Sequence, residues 1–252
     1  MDHIWILDLF VFAFGLVIGS FLNVCIYRLP RGAFLAESRS RCPSCGTTLR
    51  WVDLAPVLSY LLLRGKCRYC EARISPVYPM IESLNGVAWL CAFKTYDYSL
   101  SALLVAILLS ALIVIAAIDI GHRIIPDSMH VVILILALVR MALVGGAPLM
   151  SHVIGAFAVS VPLLIAAIVT KGGMGGGDIK LMAAAGLFLG YKLILFSLLA
   201  GSVVGAIVSV ALMSAKKLGM KSAVPFGPFL AFGIALAALR GDAIITWYVS
   251  IL

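Results

Sequence analysis

The chain has 252 residues, of which 63% are hydrophobic and only 12% charged, with a mean hydropathy of +1.14. That balance excludes a soluble globular domain and describes an integral membrane protein. A net charge of +8 would suit a nucleic-acid partner, but the basic residues sort by membrane side, so the excess reads as topology and contact with the anionic lipid bilayer, not as nucleic-acid binding.

Apolar runs able to cross a bilayer, roughly 17–25 residues each, give an all-α polytopic fold with about eight transmembrane helices. In chain order they lie near residues 4–27, 77–93, 100–118, 129–144, 149–170, 179–189, 193–214 and 225–239. The second and sixth are short, and residues 243–252 either extend the eighth or lie in the interface. The first run is read as a retained helix: Met1-Asp2-His3 lacks the basic start of a signal peptide, and no small-residue cleavage site precedes Arg28. Arg28 and Arg31 follow it directly, which places the N-terminus outside. With alternation from there, all of the 19 Lys and Arg residues except Lys94, Arg140, Lys192 and Arg240 fall on the cytoplasmic side, the bias expected for an even number of spans.

Residues 28–76, between the first two spans, are polar and arginine-rich, and too few to bury a sizeable core. Such a segment needs a staple. Cys42-Pro-Ser-Cys45 and Cys67-Arg-Tyr-Cys70, separated by 21 residues, supply one, since tetrahedral Zn²⁺ takes four thiolates and each CxxC turn presents two. The alternative of two disulfides suits an oxidising compartment, whereas this loop faces the cytoplasm. Arg41, Lys66 and Arg68 help to offset the charge of four sulfurs. A closed four-thiolate site has no open position, so the zinc is expected to be structural. Cys25 and Cys91 lie within predicted spans and pack as small hydrophobes. No repeat of 20–50 residues is evident. The chain divides into an N-terminal part, 1–95, and a six-helix bundle, 96–252.

Two acids stand at the mouths of apolar helices, where a carboxylate is costly. Asp119 ends the run 102–118, and Asp178 closes Gly175-Gly176-Gly177. By alternation both open on the cytoplasmic side, and two carboxylates that meet and share a proton are the equipment of an aspartic protease. The alternatives are an N-cap for Asp178 and an interfacial pair with Arg123 for Asp119. Asp127, after Pro126, is read as the N-cap of the fourth span and not as the catalytic partner. The glycines before Asp178 would let the backbone unwind, which is tolerated at membrane depth only where it lines a cavity, and a substrate peptide could pair there. The same stretch is not a phosphate loop, because Asp178 and Ile179 precede Lys180 and an acid repels phosphate. A zinc-stapled scaffold or a transporter with an acidic ion pathway is the competing class; the paired inverted repeats that would support transport are not seen.

Several motifs then occur in a fixed order: Gly19-Ser20-Phe21-Leu22-Asn23-Val24 with Tyr27-Arg28-Leu29-Pro30, the two cysteine knuckles, Ile74-Ser75-Pro76 with Tyr78-Pro79 and Glu82, Asp119 with Ile125-Pro126-Asp127, the GxGD sequence at 175–178, and Pro225-Phe226-Gly227-Pro228. In these the chain resembles the bacterial type IV prepilin peptidases, GxGD intramembrane aspartic proteases that serve pilus, type II secretion and competence systems. The resemblance runs nearly end to end and implies that Asp119 and Asp178 are the catalytic pair. It implies cleavage of the short basic leader of prepilins and pseudopilins after a glycine, at the cytoplasmic face of the inner membrane, then N-methylation of the new N-terminal residue with S-adenosylmethionine. The cysteine loop is characteristic of members with both activities, although here it is compact and lacks an acidic insert. It makes the N-terminal part the expected methyltransferase half; a peptidase with an inactive methyltransferase half is the remaining alternative. Methyl transfer needs an oriented, deprotonated amine, and Glu82 is a candidate to hold it, the alternative being a buried acid paired with Arg73 or Arg28. No soluble-enzyme glycine motif marks a pocket for S-adenosylmethionine.

Overall fold

The computed structural model describes residues 4–32, 39–145, 147–171, 173–215 and 224–251. The described residues form helices and no extended strand. In order these are α1 (Ile4–Arg28), a short α2 (Leu58–Leu62), α3 (Val77–Tyr96), α4 (Leu100–His122), α5 (Asp127–Leu143), α6 (Leu149–Ala158), α7 (Ser160–Val169), α8 (Gly176–Leu189), α9 (Tyr191–Ser214) and α10 (Gly227–Ile251). α10 continues through residues 243–251, so the tail extends the last helix.

Among the described residues, five helical stretches are long and apolar enough to cross a membrane: Trp5–Arg31, Leu100–His122, Leu149–Val169, Tyr191–Ser214 and Gly227–Ile251. The protein is thus a multi-pass membrane protein with five candidate spans, fewer than the eight expected. α3, α5 and α8 fall short for physical reasons. α3 carries Glu82, Asn85 and Lys94, and α5 carries Asp127, His130 and Arg140. α8 has 14 residues, about 21 Å at 1.5 Å per residue, against a hydrocarbon core of about 30 Å. The fifth expected run breaks between α6 and α7 at Val159; Pro162, in the first turn of α7, cannot donate to the carbonyl four residues back.

Contacts divide the chain into two compact units, Met1–Val114 and Ile115–Leu252, the division falling inside α4. In the N-terminal unit α1 and α3 run antiparallel in close register. A Cβ on Gly15 would lie 2.9 Å from the Gly86 Cα, and one on Gly19 would lie 2.7 Å from the Glu82 Cα, so these two small residues, four apart, let the backbones touch. The Asn85 side chain, fully buried, donates to the Gly15 carbonyl (2.7 Å) and accepts from the Ser110 hydroxyl (2.7 Å), which also receives the Trp89 indole N–H (2.9 Å). A polar network satisfied in this way fixes helix register in an apolar medium. At the far end Lys94 and Tyr98 both donate to Asp8, at 2.5 and 2.7 Å.

In the C-terminal unit α8 is the central element, with Leu181, Met182, Ala185 and Phe188 all fully buried. It crosses α6 where Gly186 meets Gly155: a Cβ on Gly186 would be 2.1 Å from the Gly155 carbonyl oxygen. α9 and α10 meet the same way, a Cβ on Gly233 falling 2.0 Å from the Ser197 oxygen. The His152 ring donates through Nδ1 to the Leu187 carbonyl at 2.8 Å. Backbone contact and this hydrogen bond help to lock the short α8 in place, and its N-terminus carries the glycine stretch and Asp178.

Candidate active site

Asp119 lies in the last turn of α4 and is 6% exposed. Its Oδ2 accepts the backbone N–H of Gly227, the first residue of α10, at 3.0 Å across 108 residues of sequence. Gly227 is close enough that a Cβ would stand 2.7 Å from that oxygen. The chain turns just beyond, where Arg123 adopts φ 56° and donates its backbone N–H to the Asp119 carbonyl at 2.9 Å.

Asp178 is the third residue of α8, and Gly175 is its N-cap. The N-cap role considered from the sequence is therefore filled by a glycine, and the carboxylate is half-buried in the first turn, where the helix dipole favours a negative group. Asp178 lies within electrostatic range of Asp119. The first turn of α8, which presents it, is held by His130 on α5, whose Nε2–H donates to the Gly177 carbonyl at 3.0 Å.

Asp127 follows its N-cap Pro126 as the first residue of α5, one position later than expected, and makes no side-chain cap. It is exposed, and its Oδ1 accepts from Lys180 Nζ of α8 at 2.7 Å. Its carboxylate is committed to that ion pair, whereas Asp119 is bonded to the Gly227 N–H. Gly227 and His130 were not picked out as functional in the sequence; the Pro225–Pro228 motif marked the first without a role, and nothing local marked the second.

The four knuckle cysteines converge, with all four sulfurs within 4.8 Å of one another and Cys42 and Cys70 at 3.9 Å. Four thiolates about 2.3 Å from a tetrahedral zinc would stand about 3.8 Å apart, so the donor set fits a metal. The knuckles are built alike. In the first, Gly46 N–H bonds the Cys42 carbonyl (2.9 Å) and Cys42 N–H the Thr47 carbonyl (3.0 Å); in the second, Glu71 bonds Cys67 (3.0 Å) and Cys67 bonds Ala72 (2.9 Å). Gly46 at φ 70° and Glu71 at φ 57° occupy the same left-handed position. This 25-residue echo of one half-site in the other is a short repeat that the sequence reading passed over; aligning the two CxxC turns would have found it.

The thiols repel one another's charge. The Thr47 hydroxyl and N–H hold Cys45 down to about 6. A backbone hydrogen bond from Ala72 lowers Cys70, but burial and the other thiols push it up to about 12. Four thiolates cannot coexist at this spacing without a cation, which a divalent metal supplies. Asp53 braces the pair of knuckles, its side chain 4% exposed. It accepts from Arg68 Nε (2.7 Å), Tyr69 OH (3.0 Å) and the Arg50 N–H (3.1 Å). Burial would raise its carboxyl, and these donors outweigh that and hold it below the usual range.

Glu82, in the second turn of α3, is 8% exposed. It accepts the Val57 N–H at 2.8 Å and a hydrogen bond from the Ser20 hydroxyl.

Residues 13–96 match the family model for the bacterial peptidase A24 N-terminal domain, and residues 106–210 match that for the type IV leader peptidase family. The chain is 35% identical over 243 residues to a prepilin leader peptidase/N-methyltransferase of Bacillus subtilis, covering 95% of this chain and 96% of that protein. It is 34% identical over 276 residues to one of Aeromonas salmonicida (98% and 95% covered) and 30% identical over 279 residues to one of Legionella pneumophila (99% and 96%). No solved structure gives a significant match.

Proposed function

Because the chain belongs to the family of prepilin leader peptidase/N-methyltransferases, bifunctional membrane enzymes, we propose that Asp119 and Asp178 are the pair that cleaves the leader of a prepilin or pseudopilin. The observation that carries this is their arrangement: one buried carboxylate tied to the Gly227 N–H, and a second in the first turn of α8 within its field. Like charges so placed do not both ionise readily, so one carboxyl keeps a proton. The ionised member draws a proton from water as it attacks the scissile carbonyl. The protonated member gives its proton to the carbonyl oxygen; as the tetrahedral intermediate collapses, the member that took the water's proton passes it to the leaving amine, and the other recovers its own from the intermediate's hydroxyl. Gly176 and Gly177 are helical, so of the glycines before Asp178 it is Gly173 and Gly175, outside α8, whose backbone is left to pair with an extended substrate.

The N-terminal part, 1–95, is the methyltransferase half, with Glu82 toward the acceptor amine. S-adenosylmethionine, when bound, supplies an electrophilic methyl group; the protein's task is to orient the amine and relieve it of its proton. Cys42, Cys45, Cys67 and Cys70 hold a structural Zn²⁺ that ties residues 28–76 together. α3, α5 and α8, packed among longer neighbours, complete eight spans. The clustering of basic residues in the segments that carry Asp119, Asp178 and the cysteines supports an N-terminus outside and active sites at the cytoplasmic face of the inner membrane.

Incubating the purified protein with a prepilin and S-adenosylmethionine tests this by intact mass. The expected product has lost its leader and gained one methyl group. Uncleaved prepilin overturns the dyad; cleaved but unmethylated pilin overturns the assignment of the N-terminal half.

A further inference from the structure

Beside the second knuckle, just before α3, lies an open cavity of about 610 Å³ whose walls include Tyr60, Arg64, Lys66, Arg73 and Ser75. Among the described residues that line it, none is acidic. An antiparallel bridge sets Lys66 directly opposite Arg73, and like charges in that position repel. Backbone fixes the frame around them: the Gly65 N–H bonds the Tyr60 carbonyl and the Ile74 N–H the Gly65 carbonyl, both at 2.8 Å, with Gly65, at φ 69°, against the Tyr60 ring. Lys66, read from the sequence as a counterweight to the sulfurs, thus lines a cationic pocket together with Arg64 and Arg73. An anion among these side chains replaces repulsion with attraction, and the planar guanidinium fork matches phosphate oxygens.

The element that leads into this pocket is inside out for a segment in water. On α2 the polar Ser59 and Tyr60 are half-buried, whereas Leu58, Leu61 and Leu62, spaced three and four apart on one face, are exposed, Leu62 by 82%. Trp51, 84% exposed, and Leu54 join them from the preceding turn. Leucine and tryptophan turned outward, with arginine and lysine beside them, is the pattern of an element lying in the bilayer interface. α1, the candidate span that precedes the segment, exposes Phe10, Val17 and Phe21 along one face in the same way. It also brings the segment to the membrane surface, whichever side that is.

We propose that Arg64, Lys66 and Arg73 bind the phosphate of an anionic phospholipid from the protein's own membrane, while Leu58, Leu61, Leu62 and Trp51 rest among its acyl chains. A soluble phosphate would neutralise the cations and leave the leucine face in water, which is why the anion is assigned to a lipid. The bound headgroup offsets the repulsion between Lys66 and Arg73 and pins the second knuckle to the membrane surface.

The test uses full-length protein in nanodiscs of mixed phosphatidylcholine and phosphatidylglycerol. Photoactivatable phosphatidylglycerol added to wild-type protein, which needs no variant to fold, should label peptides from residues 51–66, and photoactivatable phosphatidylcholine should label them about tenfold less. Arg64, Lys66 and Arg73 are exposed, so each can be replaced without disturbing packing. Arg64→Gln and Arg73→Gln should each reduce labelling by phosphatidylglycerol about fivefold, the scale of one charge at a membrane surface, and the two together tenfold or more. Arg31→Gln, which removes an equal charge outside the pocket, should leave it unchanged. Excess inorganic phosphate or glycerol 3-phosphate should not compete. With a benzophenone side chain in place of Leu62, irradiation should yield a lipid adduct. Label confined to the long helices, or equal for the two lipids, overturns the site. Loss in Arg31→Gln as large as in Arg73→Gln reduces it to general surface charge and overturns it too. Competition by soluble phosphate overturns the lipid as occupant, and a covalent dimer through the benzophenone gives the leucine face to a second copy instead.

Discussion

Gly227→Ala isolates the positioning of Asp119 from the presence of its carboxylate. The new Cβ would stand 2.7 Å from Asp119 Oδ2 and 3.1 Å from Cγ, where ordinary contact begins at 3.4 Å. The carboxylate must therefore retreat by roughly 0.7 Å or α10 must shift by as much, and either movement loosens the 3.0 Å bond from the Gly227 N–H. A displacement of about 1 Å at a reacting group costs on the order of 10²-fold in rate, so cleavage should fall about 10- to 100-fold. Gly227 is outside the left-handed region and begins a helix, so alanine brings no backbone strain, and the overpacking cost of about 1–3 kcal/mol leaves the protein folded. Two neighbouring glycines calibrate the effect. A Cβ on Gly175 would meet Asp178 Oδ2 at 3.1 Å, a milder contact, and one on Gly176 would meet nothing within 4 Å. Steady-state cleavage of a prepilin by the three purified alanine variants should thus fall in the order Gly227, Gly175, Gly176, the last near wild type. A Gly227→Ala enzyme within about twofold of wild type, or a Gly176→Ala enzyme slower than it, would refute the reasoning.

Asp119→Asn and Asp178→Asn should each abolish cleavage while the protein remains inserted, since an amide cannot exchange the proton; Asp127→Asn should cut normally, and the reverse pattern would move the first acid to Asp127. Asp178→Asn should still methylate pilin supplied without its leader, because that substrate already presents a free amine; loss of transfer in folded protein would mean that the two activities share groups. Protein purified without chelator should hold close to one zinc per chain and Cys42→Ser less, by elemental analysis; knuckle thiols found oxidised in fresh membranes would contradict both the metal and the orientation. Glu71→Gly should tighten metal retention, because an L residue in the left-handed position costs about 1–2 kcal/mol, partly offset by the entropy of glycine. A net gain of about 0.5–1 kcal/mol, roughly two- to fivefold in a chelator competition, is expected, with Gly46→Ala moving the opposite way.

What the sequence by itself determined follows from terms that are local or additive along the chain. Hydropathy accumulates residue by residue, so the apolar runs that became α1, α4, α9 and α10 were visible, and a carboxylate placed where an apolar run ends is conspicuous whatever packs around it. CxxC spacing fixes two sulfurs within one turn, so a four-cysteine set able to hold a metal could be read before the knuckles met. The tertiary structure decided what depends on partners far apart in sequence. Only packing brought the Gly227 N–H to Asp119, took Asp127 away to Lys180, set His130 against the first turn of α8 and matched Gly155 to Gly186. It also placed Val57 in a left-handed turn against Glu82, a conformation that β-branched propensity opposes and that only surrounding contacts can impose. A backbone N–H is the same in every residue but proline. Which carboxylate one serves is written in the packing of helices and not in any local pattern.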